Sequence, residues 1–304
     1  MLSSVATELL ARCEFPPAGS QIACAVSGGP DSLALLALAV YAGCRATAYH
    51  VDHGLREGSD KEALVVARQA EALGAAFVAL TAPCGPGPNL EDRARRARFA
   101  VLPTAVATGH TADDQAETVL LNLLRGAGID GLRAMRPGPR HPILRLRRSE
   151  TERLATSLGL EVVRDPTNAS PVHRRNRIRH ELLPLATQVA GRDLVPVLIR
   201  QAHLLAEEAD LLDALAGEID PESAAALSTS PLVLARRAVR RFVREKLGAQ
   251  LSFAATERVL AVARGEVRAC ELPGGVRVAR SRGRLVVTVP AKQAAAPAER
   301  ACPS

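Results

Sequence analysis

Between residues 21 and 108 the chain alternates short β-rich runs with longer helical stretches. Residues 21–26, 45–51, 77–80 and 105–108 read as strands, and 33–41, 60–73 and 90–102 as the helices between them. Strands separated by crossover helices predict an α/β domain, a parallel twisted sheet with helices on both faces. Ligands bind such sheets beyond the carboxyl ends of the strands, so candidate chemistry is sought there.

Past Met135 the pattern changes. Pro137, Gly138, Pro139 and Pro142 open an Arg-rich stretch, a helix is expected from about Glu150 to Leu158 ahead of Gly159, and Asp165-Pro166-Thr167-Asn168 is a turn signal. A helical unit is expected over 193–247, broken at Pro221 and Pro231, with another short helix at 253–263. Residues 268–272, 276–281 and 284–289 alternate about Pro273-Gly274-Gly275 and Arg282-Gly283, as in a small antiparallel sheet. The expected domains are therefore 1–185, the α/β unit; 186–290, a smaller helical domain ending in a short antiparallel sheet; and 291–304, an unstructured Ala/Pro-rich tail.

Composition narrows the class. With 304 residues, 47% hydrophobic and 23% charged, the chain can bury real cores and is neither a fibre nor a disordered protein. The uncharged stretch 32–44 is too short to cross a bilayer, and 73–90 is broken by Gly, Pro and Asn89, so no transmembrane helix is expected. Residues 1–5 lack a basic start and an apolar run, which together with the rest predicts a cytosolic protein without a membrane partner. Six cysteines occur without a C-x-x-C pair, which argues against a zinc site, a Cys-ligated iron–sulfur cluster or a disulfide framework. Cys24 and Cys44 sit in apolar runs and read as buried small hydrophobes.

The net charge of +7 is local. Residues 133–182 hold twelve arginines against five acids, which is the whole excess, and the remainder balances. A focused basic surplus fits either a polyanion partner or a solvated face. Aromatics at 2% leave no platforms for stacking successive bases, so nucleic-acid recognition would rest on Arg–phosphate contacts, shape and guanidinium stacking, and would weaken steeply with salt.

The first strand ends in Ser27-Gly28-Gly29-Pro30-Asp31-Ser32, directly ahead of an apolar helix. Two glycines let backbone N–H groups and a helix N-terminus close around phosphate oxygens, with Ser27 and Ser32 as further donors. No G-K-[ST] exists in the chain, so no Walker lysine awaits a γ-phosphate. Such a loop suits a nucleotide that loses pyrophosphate, with Asp31 available for Mg²⁺; the alternatives are a tight turn and an Asp31 N-cap. In 109–118 Thr111 is placed as an N-cap with Asp114 at N3, a capping box, while Asp113 and Glu117 share a helical face. That acid pair suits Mg²⁺ or an incoming ammonium; the alternative is a solvated helix end. Asp52 ends strand two where a doubly wound fold touches ribose or base, flanked by His50 and His53, and His110 ends strand four; either could equally be structural.

In their order and spacing these stretches resemble a known family. Ser-Gly-Gly-x-Asp-Ser resembles the loop of the PP-loop ATP pyrophosphatases, whose fold is Rossmann-like. With 50–56 (HVDHGLR), 109–118 (GHTADDQAET) and Arg175-Asn176-Arg177-Ile178-Arg179 ahead of Leu182-Leu183-Pro184, the chain is similar to the tRNA(Ile)-lysidine synthetases over roughly 22–184. Residues 89–99 resemble a further family stretch, with Phe99 where Tyr is usual. Longer members carry an additional C-terminal domain that helps to hold tRNA; here either 193–289 or a homodimer would take that part.

The resemblance implies a two-step ligase using ATP and Mg²⁺. The C2 oxygen of the wobble cytidine of a minor, CAU-anticodon tRNA(Ile) is adenylated, and free lysine then displaces AMP. Implied site residues are Asp31, Asp113 and Glu117 for catalysis; Ser27, Gly28, Gly29, Pro30, Asp31, Ser32, Asp52 and His110 for ATP; and Asp31 and Asp113 for the metal. Arg95, Arg174, Arg175, Arg177 and Arg179 are implied for tRNA. The rivals are a PP-loop tRNA sulfur transferase, which generally wants paired or persulfide cysteines, a non-catalytic nucleotide-dependent RNA-binding module, which needs no Asp113/Glu117 pair, and an amide-forming synthetase, which leaves the Arg-rich segment unexplained.

Overall fold

The computed structural model describes residues 4–52, 54, 59–85, 87, 90–163 and 174–290. The turn signal at 165–168, the tail from 291, and His53, Leu55, Arg56 and Asn89 lie outside them. Helix α1 (Ser4–Leu10) precedes a wound sheet of β1 (Gln21–Ala25), β2 (Arg45–Asp52), β3 (Ala76–Thr81) and β4 (Ala107–Thr108), with α2 (Pro30–Tyr41), α3 (Ser59–Leu73) and α4 (Leu90–Val101) as crossovers. The strand order is β3-β2-β1-β4 and every pair is parallel. The chain winds outward from β1 to β3 and then returns to β4 on the other side of β1. That reversal opens a crevice at the carboxyl ends of β1 and β4, where such sheets bind ligands.

Helix α2 is apolar on nearly every side, and Leu33, Leu35, Leu36 and Leu38 are fully buried. A helix buried all round belongs in the middle of a core; here it fixes the glycine loop that precedes it. β4 keeps only Ala107 and Thr108 of the four residues expected, because Val106 N–H closes a turn on the Pro103 carbonyl at 3.0 Å. Helix α1 buries Ala6 and Leu9, and its seven residues are too few to show a period in sequence.

Beyond the sheet come α5 (Ala112–Leu124), α6 (Ile129–Leu132), α7 (Arg148–Ser157), α8 (Arg174–Arg177) and α9 (Leu183–Ala190). One π turn, Ile178–Leu182, joins α8 to α9. Pro184 has no N–H for the carbonyl four residues back, and the helix widens just ahead of it.

The chain divides into two compact units, Met1–Leu205 and Ala206–Ser304, so the break falls within α10 (Val195–Gly217) rather than at 185/186. The second unit packs α11 (Ala224–Thr229), α12 (Leu232–Leu247) and α13 (Phe253–Arg264) with an antiparallel sheet, β5 (Ala269–Leu272), β6 (Val276–Ser281) and β7 (Arg284–Thr288). Phe242, Val259, Leu260, Val278 and Leu285 belong to its core. Ser281 pairs Arg284 across the two-residue turn Arg282-Gly283, both at positive φ (48° and 76°), the primed geometry that matches strand twist. Among the described residues no single helix is long and apolar enough to cross a membrane.

Candidate active site

A cleft of about 410 Å³ opens at the ends of β1 and β4. Of the residues expected to bind ATP, Ser27, Gly29, Pro30, Asp31, Ser32 and His110 line it; Tyr49 and Val51 of β2 form another part of its wall. The loop is held from within. The Ser32 hydroxyl accepts from Ser27 N–H at 3.2 Å and donates to the Gly29 carbonyl at 2.9 Å. Gly28 is not in the lining but makes the turn: its φ is +87°, and a Cβ there would lie 2.7 Å from Val163 Cγ2.

Asp31 is not an N-cap. Gly29 occupies that position, Pro30 starts the helix, and the Asp31 carboxylate accepts from the Thr151 hydroxyl of α7 and lies 3.5 Å from Arg148 Nε. Burial is the main cause that raises its pKa to about 6, against the lowering effects of Thr151 and Arg148. Asp52 is absent from the lining. It accepts from Gly54 N–H at 2.8 Å and so closes a local turn, while His50 is buried and donates to the Val26 carbonyl at 2.9 Å.

The acids of α5 are distributed differently from expectation. Thr111 N–H and hydroxyl donate to Asp114 Oδ2 at 2.8 and 3.0 Å, so Asp114 does close the start of the helix, but its Oδ1 accepts from Arg148 and Arg175 at 3.1 and 3.0 Å. Asp114 lines the cleft and Asp113 does not. Asp113 instead accepts from Arg147 Nε and Nη2 at 3.1–3.3 Å and from Arg148 N–H at 2.8 Å. Glu117 is 1% exposed and accepts from three guanidiniums: Arg179 Nε at 2.6 Å, Arg175 Nε at 2.9 Å and Arg148 Nη2 at 3.2 Å. Burial would raise the Asp114 pKa, but Arg148 and Arg175 outweigh it and hold it below the usual range. The pair expected to share one cation therefore sits on separate arginine partners.

The arginines divide as well. Arg95 and Arg179 line the cleft, joined by Arg98 and Arg148. Arg175 and Arg179, four apart, both turn inward to the α5 acids, whereas Arg177 pairs with Glu181 at the surface and Arg174 is exposed. Arg148 and Thr151 escaped the sequence reading as site residues. Their only signal is position, at the start of a helix after the buried Leu144 and Leu146. At the floor, Thr108 Oγ1 lies 2.7 Å from His110 Nδ1 and 2.8 Å from His141 Nδ1; burial is the main cause that lowers the His110 pKa to about 4, keeping the ring neutral.

Gly109 permits this assembly. A Cβ there would meet the Asp31 carbonyl oxygen at 2.8 Å and carbon at 2.9 Å, backbone atoms that cannot swing aside. Gly109→Ala is expected to cost about 1–3 kcal/mol through overpacking and to weaken ATP binding, measured by thermal melt and calorimetric titration. Wild-type values for both would refute the close approach.

A PP-loop domain model matches residues 2–186. The chain is 41% identical to a tRNA(Ile)-lysidine synthase of Nocardia farcinica, over 93% of this chain and 96% of that protein. It is 38% identical to one of Thermobifida fusca, over 90% and 93%. The chain belongs to the tRNA(Ile)-lysidine synthase family. A solved structure, the U34-tRNA thiolase NcsA of Methanococcus maripaludis with its [4Fe-4S] cluster, matches at TM-score 0.51 and 16% identity over 67% of this chain and 78% of that one, a likeness of fold. In this member of the family the glycine loop, Asp31, Arg148 and Arg179 line one cleft. Two of the described cysteines do not favour the sulfur-transfer rival: Cys13 and Cys24 are pushed up to about 12, mainly by burial, far from a reactive thiolate.

Proposed function

We propose that this enzyme joins free lysine to C2 of the wobble cytidine of a CAU-anticodon tRNA(Ile), with ATP converted to AMP and pyrophosphate. The observation that carries this reading is the placement of the glycine loop, Asp31, Arg148 and Arg179 around one cleft in a member of this family. The loop and the start of α2 receive phosphate oxygens. Arg148 and Arg179, each held by a buried carboxylate, face the same space and offset charge that develops on departing pyrophosphate. The cytidine O2 attacks the α-phosphorus and the bond to pyrophosphate breaks. The lysine ε-amine then attacks C2, AMP leaves with the oxygen, and the amine gives up a proton. Glu152 lines the cleft, is exposed and has no cation partner among the described residues, so it is placed to receive the lysine ammonium.

The donor set suits Mg²⁺. Among the described residues no three metal-binding side chains converge, and Mg²⁺ is commonly held by one or two carboxylates together with substrate phosphates. Asp31, whose burial disfavours its anion, fits that demand; Asp113, occupied by Arg147, does not. When bound, the ion neutralises phosphate charge as pyrophosphate departs.

Incubation with ATP, labelled lysine and total tRNA should leave label on tRNA that survives mild base, since a modified base is stable where an aminoacyl ester is cleaved. Label lost on base treatment, or none at all, would overturn the reading.

A further inference from the structure

The motif Arg174–Leu182 has two working faces. Arg175 and Arg179 point to Asp114 and Glu117, while Arg174, Arg177, Ile178 and Leu182 line a separate groove of about 530 Å³ whose other wall is Leu121 and Leu124 of α5. Leu124 and Leu185 are 67% and 58% exposed there, more than a helix surface that covers a core requires. Arg125 and Arg174 stand exposed on the rim with no carboxylate partner among the described residues; Glu181, the one acid in the lining, is already paired with Arg177.

We propose that this groove receives an unpaired nucleotide of the substrate tRNA beside the one that enters the ATP cleft, base on the leucines and phosphate on Arg125 and Arg174. The inference rests on the lysidine reading and names a binding surface for it. Charge decides the occupant. A two-fold self-contact would set Arg125 and Arg174 against the same arginines of a second copy with no acid to spare, whereas a phosphate satisfies both. An apolar slot is a suitable seat for an unstacked base in a chain with 2% aromatics. Proximity agrees as well: Arg179, which lines the cleft, and Arg174, which lines the groove, stand on opposite sides of one helical segment.

Leu124→Glu and Leu185→Glu place a negative charge in the groove at exposed positions, outside the ATP cleft. Each is expected to weaken CAU-anticodon tRNA(Ile) by about tenfold or more in filter binding, with unchanged ATP affinity and melting temperature. Arg174→Ala should lower the slope of log affinity against log salt by about one. Unchanged tRNA affinity in both glutamate variants would overturn the proposal. So would a wild-type dimer that these variants dissociate without loss of tRNA affinity, which would assign the groove to a second copy. Wild-type protein that binds this tRNA but forms no lysidine would instead refute the proposed activity and leave the groove result readable.

Discussion

Asp31→Asn is expected to lower lysidine formation by about 10²- to 10³-fold, the scale lost with one charge-stabilising group at a reacting centre, while raising the melting temperature at pH 7.5. The two effects share one cause. In the folded protein the Asp31 carboxyl titrates near 6, well above its ordinary 3.8, because burial disfavours the anion more than Thr151 and Arg148 favour it. A carboxyl raised in this way stabilises the fold as pH falls from about 6 toward 3.8 and opposes it above 6, where the folded state holds the costly anion. The asparagine removes that cost, about 3 kcal/mol well above pH 6, and its amide oxygen still accepts from Thr151. Arg148 keeps Asp114 and Glu117 as partners. Wild-type stability should therefore rise on acidification through pH 6 relative to the variant, and wild-type turnover should fall over the same interval as the ligand-free carboxyl protonates. Thermal melts of both proteins from pH 5 to 8, beside a lysidine assay, measure this. A variant that is less stable at pH 7.5 and turns over normally would refute both roles of Asp31.

The sheet was legible because its strands and crossover helices differ in period, and the helical unit beyond it because Pro221 and Pro231 mark its breaks. The glycine loop was legible for a similar reason: Gly28 adopts a conformation few other residues tolerate. The distribution of the acids was not. A helical wheel places Asp113 and Glu117 on one face, yet what each meets depends on Arg147 and Arg148, more than thirty residues on. Charge patterning has no period that reveals a partner brought by tertiary packing. For the same reason the Arg-rich surplus, a single local excess in sequence, splits into four guanidiniums neutralised on α5 (Arg147, Arg148, Arg175 and Arg179) and an exposed set that includes Arg174.

Glu117→Ala is the substitution with the largest expected effect on the fold. Glu117 is nearly inaccessible, and its two oxygens accept from Arg148, Arg175 and Arg179. Its removal leaves three guanidiniums sharing Asp114, with Asp31 beside Arg148 alone. Breaking a buried ion pair from one side costs about 3–5 kcal/mol, which in a protein of this size corresponds to a fall of about 10 °C in melting temperature. Arg148 and Arg179 would also lose their aim at the cleft, so ATP turnover should fall with stability. Glu117→Gln keeps the shape but turns an amide N–H₂ toward guanidinium donors, and should lose less. Coupling in a double-mutant cycle with Arg179→Ala separates this account from direct catalysis. If Glu117 positions arginines, Arg179→Ala costs much less in the Glu117→Ala background than in wild type, in both stability and turnover. If Glu117 acts on substrate itself, the variant melts like wild type and the two losses in turnover simply multiply. High salt also discriminates, since a buried network is weakly screened: the melting difference between wild type and Glu117→Ala should persist at 1 M salt.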